Sequence, residues 1–427
     1  MRRPVRQHGA APVLTGHLKQ TMQRQGKQRP FGSGCLLLTT LLGAALAASH
    51  AFANDFGNCL AQIRSQAIGS GVSAQTFDAA TAGVEADESV LEAMRSQPEF
   101  VTPIWDYLAS LVDDQRVADG RARLEQWASV LAAAEAKFGV DRHAVVAVWG
   151  VESDFGRLMG KRPLVRSLAT VSCFGSRQSY FRSELIATLK IVQSGDFVPE
   201  ALVGSWAGAF GQTQFMPSTF LRLAVDFDGD GRRDIVGSVP DALGSTANYL
   251  QRAGWARGEP WGYEVRLPAG YTGPSGRRQK QSLAQWTALG IKRADARPIE
   301  GPKQAALLLP AGVQGPAFLV FRNFDAIYAY NAAESYALAI AHLSDRLRGA
   351  GPFLTPWPTD DRGLSRAERL EVQQRLIDRG YDVGAADGMI GSRTRAAIRE
   401  FQRASGLTED GRAGGRVLDA LRAAKPR

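Results

Sequence analysis

One carboxylate stands out by where it sits. Glu152 closes the apolar run Val145-Val146-Ala147-Val148-Trp149-Gly150-Val151 and leads into Ser153-Asp154-Phe155-Gly156. Asp141 reads as the N-cap of a helix through Ala144, Val145, Val148 and Trp149, which puts Glu152 in the last turn. Apolar neighbours desolvate a carboxylate, and the negative end of a helix dipole disfavours its charge. Both effects raise its pKa from a reference value of about 4.3. A carboxylic acid kept protonated near neutral pH can donate a proton to a leaving oxygen. The plain alternative is a helix-terminal Glu in an ion pair with Arg157.

Other catalytic groups are scarce. Of the five histidines, His8, His17 and His50 precede residue 54, and His143 and His342 follow it. A zinc hydrolase normally takes two or three His ligands. A Ser-His-Asp triad stays arithmetically open, but the G-x-S-x-G elbow is missing. Carboxylates therefore carry the expected chemistry. A second acidic cluster, Asp226-Phe227-Asp228-Gly229-Asp230-Gly231-Arg232-Arg233-Asp234, follows the first half of an EF-hand loop. Asp226, Asp228 and Asp230 take positions one, three and five, Gly231 the sharp turn, and Arg232 the position that offers a backbone carbonyl. Gly237 stands where the closing bidentate Glu would be. We expect structural calcium here and no cofactor for catalysis. A solvated Asp/Gly turn is the alternative, and sodium suits the same oxygens.

Three blocks occur in one order: Val151-Glu152-Ser153-Asp154-Phe155-Gly156, then Gly204-Ser205-Trp206-Ala207-Gly208-Ala209-Phe210-Gly211-Gln212-Thr213-Gln214-Phe215-Met216-Pro217-Ser218, then Asn323-Phe324 with Tyr330-Asn331. Over roughly 54–348 this set resembles the membrane-bound lytic transglycosylase B family of murein-degrading enzymes. The resemblance implies a lysozyme-like helical fold with one catalytic glutamate, matched by Glu152. It places Ser205, Gln214, Tyr249, Tyr330, Asn331 and Tyr336 on the sugar cleft, with Tyr107 a weaker match, and suggests Asp241 as a further ligand of the acidic loop. Taken singly, the tyrosines read as core, and Ser205 and Gln214 as loop residues. Asp154 reads as a cap that points away from Glu152.

The implied reaction is a one-carboxylate route. Glu152 protonates the glycosidic oxygen of the MurNAc–GlcNAc β-1,4 bond, the muramyl N-acetyl group assists departure, and Glu152 then deprotonates the 6-hydroxyl, closing a 1,6-anhydro ring. Such an enzyme is a carbon–oxygen lyase acting on polysaccharide. A non-catalytic murein-binding scaffold and a hydrolytic muramidase are the alternatives.

The elements that must position these residues read as mainly α. Residues 54–140 show helical spacing, with Arg123–Phe138 as one run, followed by helices at Tyr180–Val192, from Pro217, over Asp241–Ala253 and over 326–348. Short strands at 263–268 and 317–321 mark a small β-rich insertion in 262–325. Residues 349–364 form a Pro-rich linker. Three short helices fill 365–421, with Val372-Gln373, Gly380-Tyr381, Asp387-Gly388, Phe401-Gln402 and Asp410-Gly411 in a pattern that resembles a peptidoglycan-binding domain. On this reading the last unit raises the local enzyme concentration at the wall without touching the chemistry.

At 427 residues, and roughly 150 per domain, two or three domains are expected. An apolar fraction of 44% excludes a disordered chain. The net charge of +9 invites a nucleic-acid reading, but residues 1–34 carry seven basic and no acidic side chains. From 54 onward, 44 basic residues face 42 acidic ones, so no nucleic-acid partner is expected. Residues 1–53 read as a signal peptide: a basic stretch, a 14-residue apolar run from Cys35 to Ala48, and Ala51-Phe52-Ala53. Met22 is an alternative start. That run is short of the ~20 residues that span a bilayer, so no stable membrane span is expected after cleavage. The apolar residues follow Cys35 rather than precede it, which argues against lipidation. The protein is expected in the periplasm, associated with the wall and with peptidoglycan glycan strands as partner. Cys59 and Cys173 remain as a pair, which suggests a disulfide in an oxidising compartment, two separate buried thiols being the alternative.

Overall fold

The apolar run before Glu152 dictates the centre of the fold. In the computed structural model, which describes residues 54–95 and 102–424, that run lies in the helix Arg142–Ser153. Every residue from Ala144 to Gly150 is buried, so the helix cannot lie on a surface and must be surrounded. Asp114–Gln126, Ala128–Phe138, Val239–Arg252 and Glu334–Leu347 pack around it. Asp141 caps its start, its Oδ1 accepting the amides of His143 at 2.8 Å and Ala144 at 3.4 Å. The helix ends where Asp154 turns left-handed, at φ 54°. Phe155, also left-handed, folds back edge-on to Trp149 with ring centroids 5.6 Å apart. Gly150 makes that return possible, because a Cβ there would meet the Phe155 ring at 2.8 Å.

Two expected helices are each broken in two. Arg123–Phe138 is interrupted at Trp127, because the halves serve different partners. Asp114–Gln126 packs on the Glu152 helix and Ala128–Phe138 on Val239–Arg252. Residues 326–348 are likewise split into Arg322–Asn331 and Glu334–Leu347 by Ala332 at φ 52°. On one continuous helix, Tyr330 and Tyr336 would lie about 120° apart around the axis. The left-handed break turns both toward the same place.

A second core joins a helix over 54–69 to Leu164–Phe174 and Gln178–Ser194, around Ile63, Leu168 and Phe181. Cys59 and Cys173 form a disulfide between the first two of these helices. The insertion is a five-stranded antiparallel sheet in the order β4-β6-β7-β3-β5. Its strands are β3 (Gly262–Arg266), β4 (Lys280–Ser282), β5 (Lys292–Arg293), β6 (Gln304–Leu308) and β7 (Ala317–Val320). Strands β1 (Arg162–Pro163) and β2 (Val203–Gly204) pair separately, with Arg162 opposite Gly204 at the start of the Gly-rich loop.

The C-terminal unit packs Arg366–Ile377, Ser392–Ala404 and Gly415–Ala423 around Val372, Leu376, Ile398, Phe401 and Leu418. Its two buried Gln residues explain its Asp-Gly turns. Buried Gln373 accepts the Gly388 amide at 2.7 Å, and buried Gln402 accepts the Gly411 amide at 2.8 Å while donating to Asp410. The stretch read as a Pro-rich linker is packed against the catalytic domain. Phe353 stacks on His342 with centroids 3.9 Å apart, and the amides of Leu354 and Thr355 each donate to Glu264 at 2.7 Å. Burial holds the His342 imidazole neutral down to about 3. Among the described residues, no helix is long and apolar enough to cross a membrane.

The disulfide spans 114 residues of sequence, so its constraint on the unfolded chain is large. The double variant Cys59→Ala with Cys173→Ala is expected to lose about 2–5 kcal/mol of stability, measured by urea unfolding. An unchanged unfolding midpoint would show that the second core holds without the bond.

Candidate active site

Glu152 lies in the last turn of its helix, partly buried, where three other helices bring in tyrosines. Tyr336, on Glu334–Leu347, donates its hydroxyl to Glu152 Oε1. Tyr330, on Arg322–Asn331, lies nearly parallel to Tyr336 with centroids 6.3 Å apart, and donates to the Thr213 carbonyl at 2.7 Å. Tyr249, on Val239–Arg252, sits 4.5 Å from the Tyr330 ring and donates to the Ala329 carbonyl at 2.6 Å. Phe215 of the Gly-rich loop contacts both Tyr249 and Tyr330, each at 5.9 Å. The result is an aromatic wall ending at a carboxylate, in which Phe215 and Tyr336 are buried and the partly exposed Tyr249 and Tyr330 are the rings a pyranose can reach.

Burial, and after it the charge of Glu152, push the Tyr330 and Tyr336 hydroxyls well above the usual phenol range. They therefore remain donors at any working pH. Tyr107, on Ile104–Leu111, lies near enough to Tyr336 to add to that shift. Asn331 ends its helix exposed to solvent.

The Gly-rich loop is locked by its own polar groups. Ser205 closes a tight turn: its amide donates to the Ala209 carbonyl at 2.8 Å and its Oγ accepts the Ala209 amide at 3.0 Å. Gln214 is left-handed at φ 50° and ties the loop to the turn after Glu152 by donating to the carbonyls of Gly211 at 2.8 Å and Met159 at 3.1 Å. Both residues thus have a structural duty that their types alone did not announce.

Two contributors were missed in the sequence. Ser153 donates its hydroxyl to the Gln212 carbonyl and accepts the Gly156 amide at 2.9 Å, joining the helix end to the loop. Gln212 then bonds the Ile235 carbonyl at 2.9 Å and the Val236 carbonyl at 3.2 Å. Asp154, expected as a cap, is one. Its carboxylate also collects Arg116 at 3.5 Å, Arg157 at 3.0 Å, and Arg366 of the C-terminal unit. Arg157 therefore pairs with Asp154 and Asp119. Burial alone would raise the pKa of Asp154, but the Arg157 bond and the charges of Arg116, Arg157 and Arg366 outweigh it and keep the carboxyl below the usual range.

In the acidic loop, Asp226, Asp228 and Asp230 bring one carboxylate oxygen each within 4.8 Å of one another. Local amides orient them: Asp226 accepts Gly229 at 2.7 Å and Gly231 at 2.9 Å, and Asp230 accepts Arg232 at 2.8 Å. Asp241 stands outside that trio. It is fully buried, and its two oxygens accept the amides of Phe227 at 2.7 Å, Asp228 at 3.3 Å and Asp234 at 2.7 Å. It shapes the loop from beneath.

Tyr336→Phe removes a donor from a charged acceptor while leaving the ring in place. Turnover should fall about 10–100-fold, as loss of a hydrogen bond to a charged group predicts. In wild type, a rate profile measured up to pH 10 should show no limb from either tyrosine. Unchanged turnover in Tyr336→Phe would remove this hydroxyl from the chemistry.

The transglycosylase SLT domain family matches residues 55–345, and a peptidoglycan binding domain family matches 365–421. Membrane-bound lytic murein transglycosylase B of Escherichia coli is 34% identical over 255 residues, which are 58% of this chain and 66% of that protein. The crystal structure of SltB3 from Pseudomonas aeruginosa, in complex with NAG-anhNAM-pentapeptide, is 48% identical with a TM-score of 0.69, covering 86% of this chain and 99% of that one. The Escherichia coli lytic transglycosylase SLT35, in complex with calcium, is 30% identical with a TM-score of 0.61, covering 68% and 92%. With its lysozyme-like helical domain and its wall-binding unit, this chain belongs to the transglycosylase SLT family of lytic murein transglycosylases, enzymes that act on peptidoglycan.

Proposed function

We propose that this enzyme cuts the MurNAc–GlcNAc β-1,4 bond without consuming water and leaves 1,6-anhydromuramyl ends. The observation that carries the reading is Glu152 at the end of a buried apolar helix, held by the Tyr336 hydroxyl against an aromatic wall. Tyr336 stays a donor to Oε1, so the transferable proton belongs on Oε2. That proton goes to the glycosidic oxygen as the bond breaks, while the muramyl N-acetyl oxygen supports the electron-poor carbon. The Glu152 carboxylate then takes the proton of the 6-hydroxyl, whose oxygen closes the anhydro ring. The acid is regenerated and the atoms balance. Tyr107, Tyr249, Tyr330, Asn331, Ser205 and Gln214 are the residues proposed to hold the sugars, and 54–348, 349–364 and 365–421 the catalytic, connecting and wall-binding segments.

The leader at 1–53, which lies outside the described residues, and the Cys59–Cys173 disulfide support export to an oxidising periplasm. The acidic loop suits calcium: three hard carboxylate donors are already oriented by amides of the same loop. Asp226, Asp228 and Asp230 would hold the ion, whose role would be structural. The loop returns through Ile235, which binds Gln212, which in turn binds Ser153 beside Glu152.

Glu152→Gln keeps size and polarity but cannot pass the proton. It should lose at least about 10²–10⁴-fold in turnover while still binding glycan. Mass spectrometry of digested sacculi should show wild-type products lighter by one water than reducing muramic ends. Reducing ends would favour the hydrolytic muramidase, and wild type that cuts no sacculus the scaffold. Full activity of Glu152→Gln would end its catalytic assignment.

Calcium should raise the melting temperature, since a ligand of the folded state alone stabilises by mass action. Asp230→Ala should abolish the shift. If chelation moves neither protein, the loop is a turn and nothing more.

A further inference from the structure

The C-terminal unit reaches the turn that ends the Glu152 helix. Arg366, the first residue of the helix Arg366–Ile377, pairs with the Asp154 carboxylate, whose side chain is only 6% exposed. The Arg366 amide also donates to Asp113 at 3.3 Å, and Asp113 caps the helix that carries Arg116. Nearby, Arg412 forks onto Asp106 with two 2.7 Å bonds, one residue from Tyr107. Gly363 passes so close that a Cβ would meet Ala109 at 2.8 Å and the Trp105 carbonyl at 2.9 Å. The contact is a fitted seam, not a loose tether.

Two physical features make that contact matter for Asp154. A buried carboxylate is tolerable only when its charge is paired. Asp154 and Phe155 also hold left-handed backbone at φ 54° and 59°, which non-glycine residues keep only where surroundings over-determine it. Arg116 and Arg157 supply two cations from the catalytic domain, and Arg366 supplies the third from outside it.

We propose that Arg366 is a positioning residue: by clamping Asp154, the docked wall-binding unit fixes the last turn of the catalytic helix and hence the aim of Glu152. This rests on the reading of Glu152 as the acid and base. A carboxylate on a loosened last turn would still meet substrate, but less often in the reactive geometry. Turnover should therefore suffer more than binding.

The test uses the full-length protein with a short soluble glycan, read by product mass and initial rates. Arg366→Ala should lower kcat about 10- to 100-fold with KM changed by less than about twofold. Sedimentation with sacculi should be unchanged, because the wall-binding helices are intact. Arg366→Lys keeps a cation at Asp154 and should recover most of kcat. It also answers for any failure of Arg366→Ala to fold. The exposed pair Arg416–Asp360 offers a control, since Arg416→Ala should leave kcat alone. An Arg366→Ala enzyme as fast as an active wild type overturns this proposal alone. So does a loss confined to KM, or an Arg366→Lys enzyme no better than Arg366→Ala. Wild type that leaves the glycan uncut overturns the enzymatic reading, and this one with it.

Discussion

A helix that is apolar on every side can be satisfied only by being enclosed, and its end is then the one place where polar chemistry can meet solvent. Arg142–Ser153 is such a helix. Its enclosure by four neighbours concentrates the protein's core around it, and its last turn carries the partly buried Glu152 to the Tyr336 hydroxyl. Ending it is the difficulty. The chain leaves the packed core by a left-handed turn in which Asp154 pairs with arginines, Phe155 packs back on Trp149 of the same helix, and Ser153 bonds the Gly-rich loop.

That turn links features that would otherwise look independent. Through Ser153 it holds the Gly-rich loop, and through Gln212 and Ile235 that loop holds the exit of the acidic loop. Through Met159 it receives Gln214. Through Asp154 it receives the C-terminal unit. In the proposed reaction Glu152 moves a proton twice and needs the same geometry for both transfers, which rigid support from several directions supplies.

The tyrosines do two jobs at once. Their rings fill the space between three helices, while their hydroxyls take up the loop carbonyl of Thr213, the carbonyl of Ala329 near a helix end and an oxygen of Glu152. Because burial and the nearby charge keep Tyr330 and Tyr336 protonated, the wall does not compete with Glu152 for its proton chemistry.

What the chain determined by itself is what local pattern can carry. The apolar run ending in Glu152 made the helix, its cap and its acid legible, and alternating Asp and Gly spelled out the acidic loop. The blocks around Glu152 and Gly204–Ser218 pointed to the family because their residue types are chemically specific. The three C-terminal helices followed from their periodicity and Asp-Gly turns. Tertiary structure decided the rest. The breaks at Trp127 and Ala332 obey packing partners far along the chain, and β6 is too rich in Ala and Leu to betray itself as a strand. The clamp on Asp154 joins residues 212 apart, and no local propensity encodes which of many arginines will arrive there. That choice belongs to the docking of one folded unit against another, and it turned an expected tether into part of the active site's support.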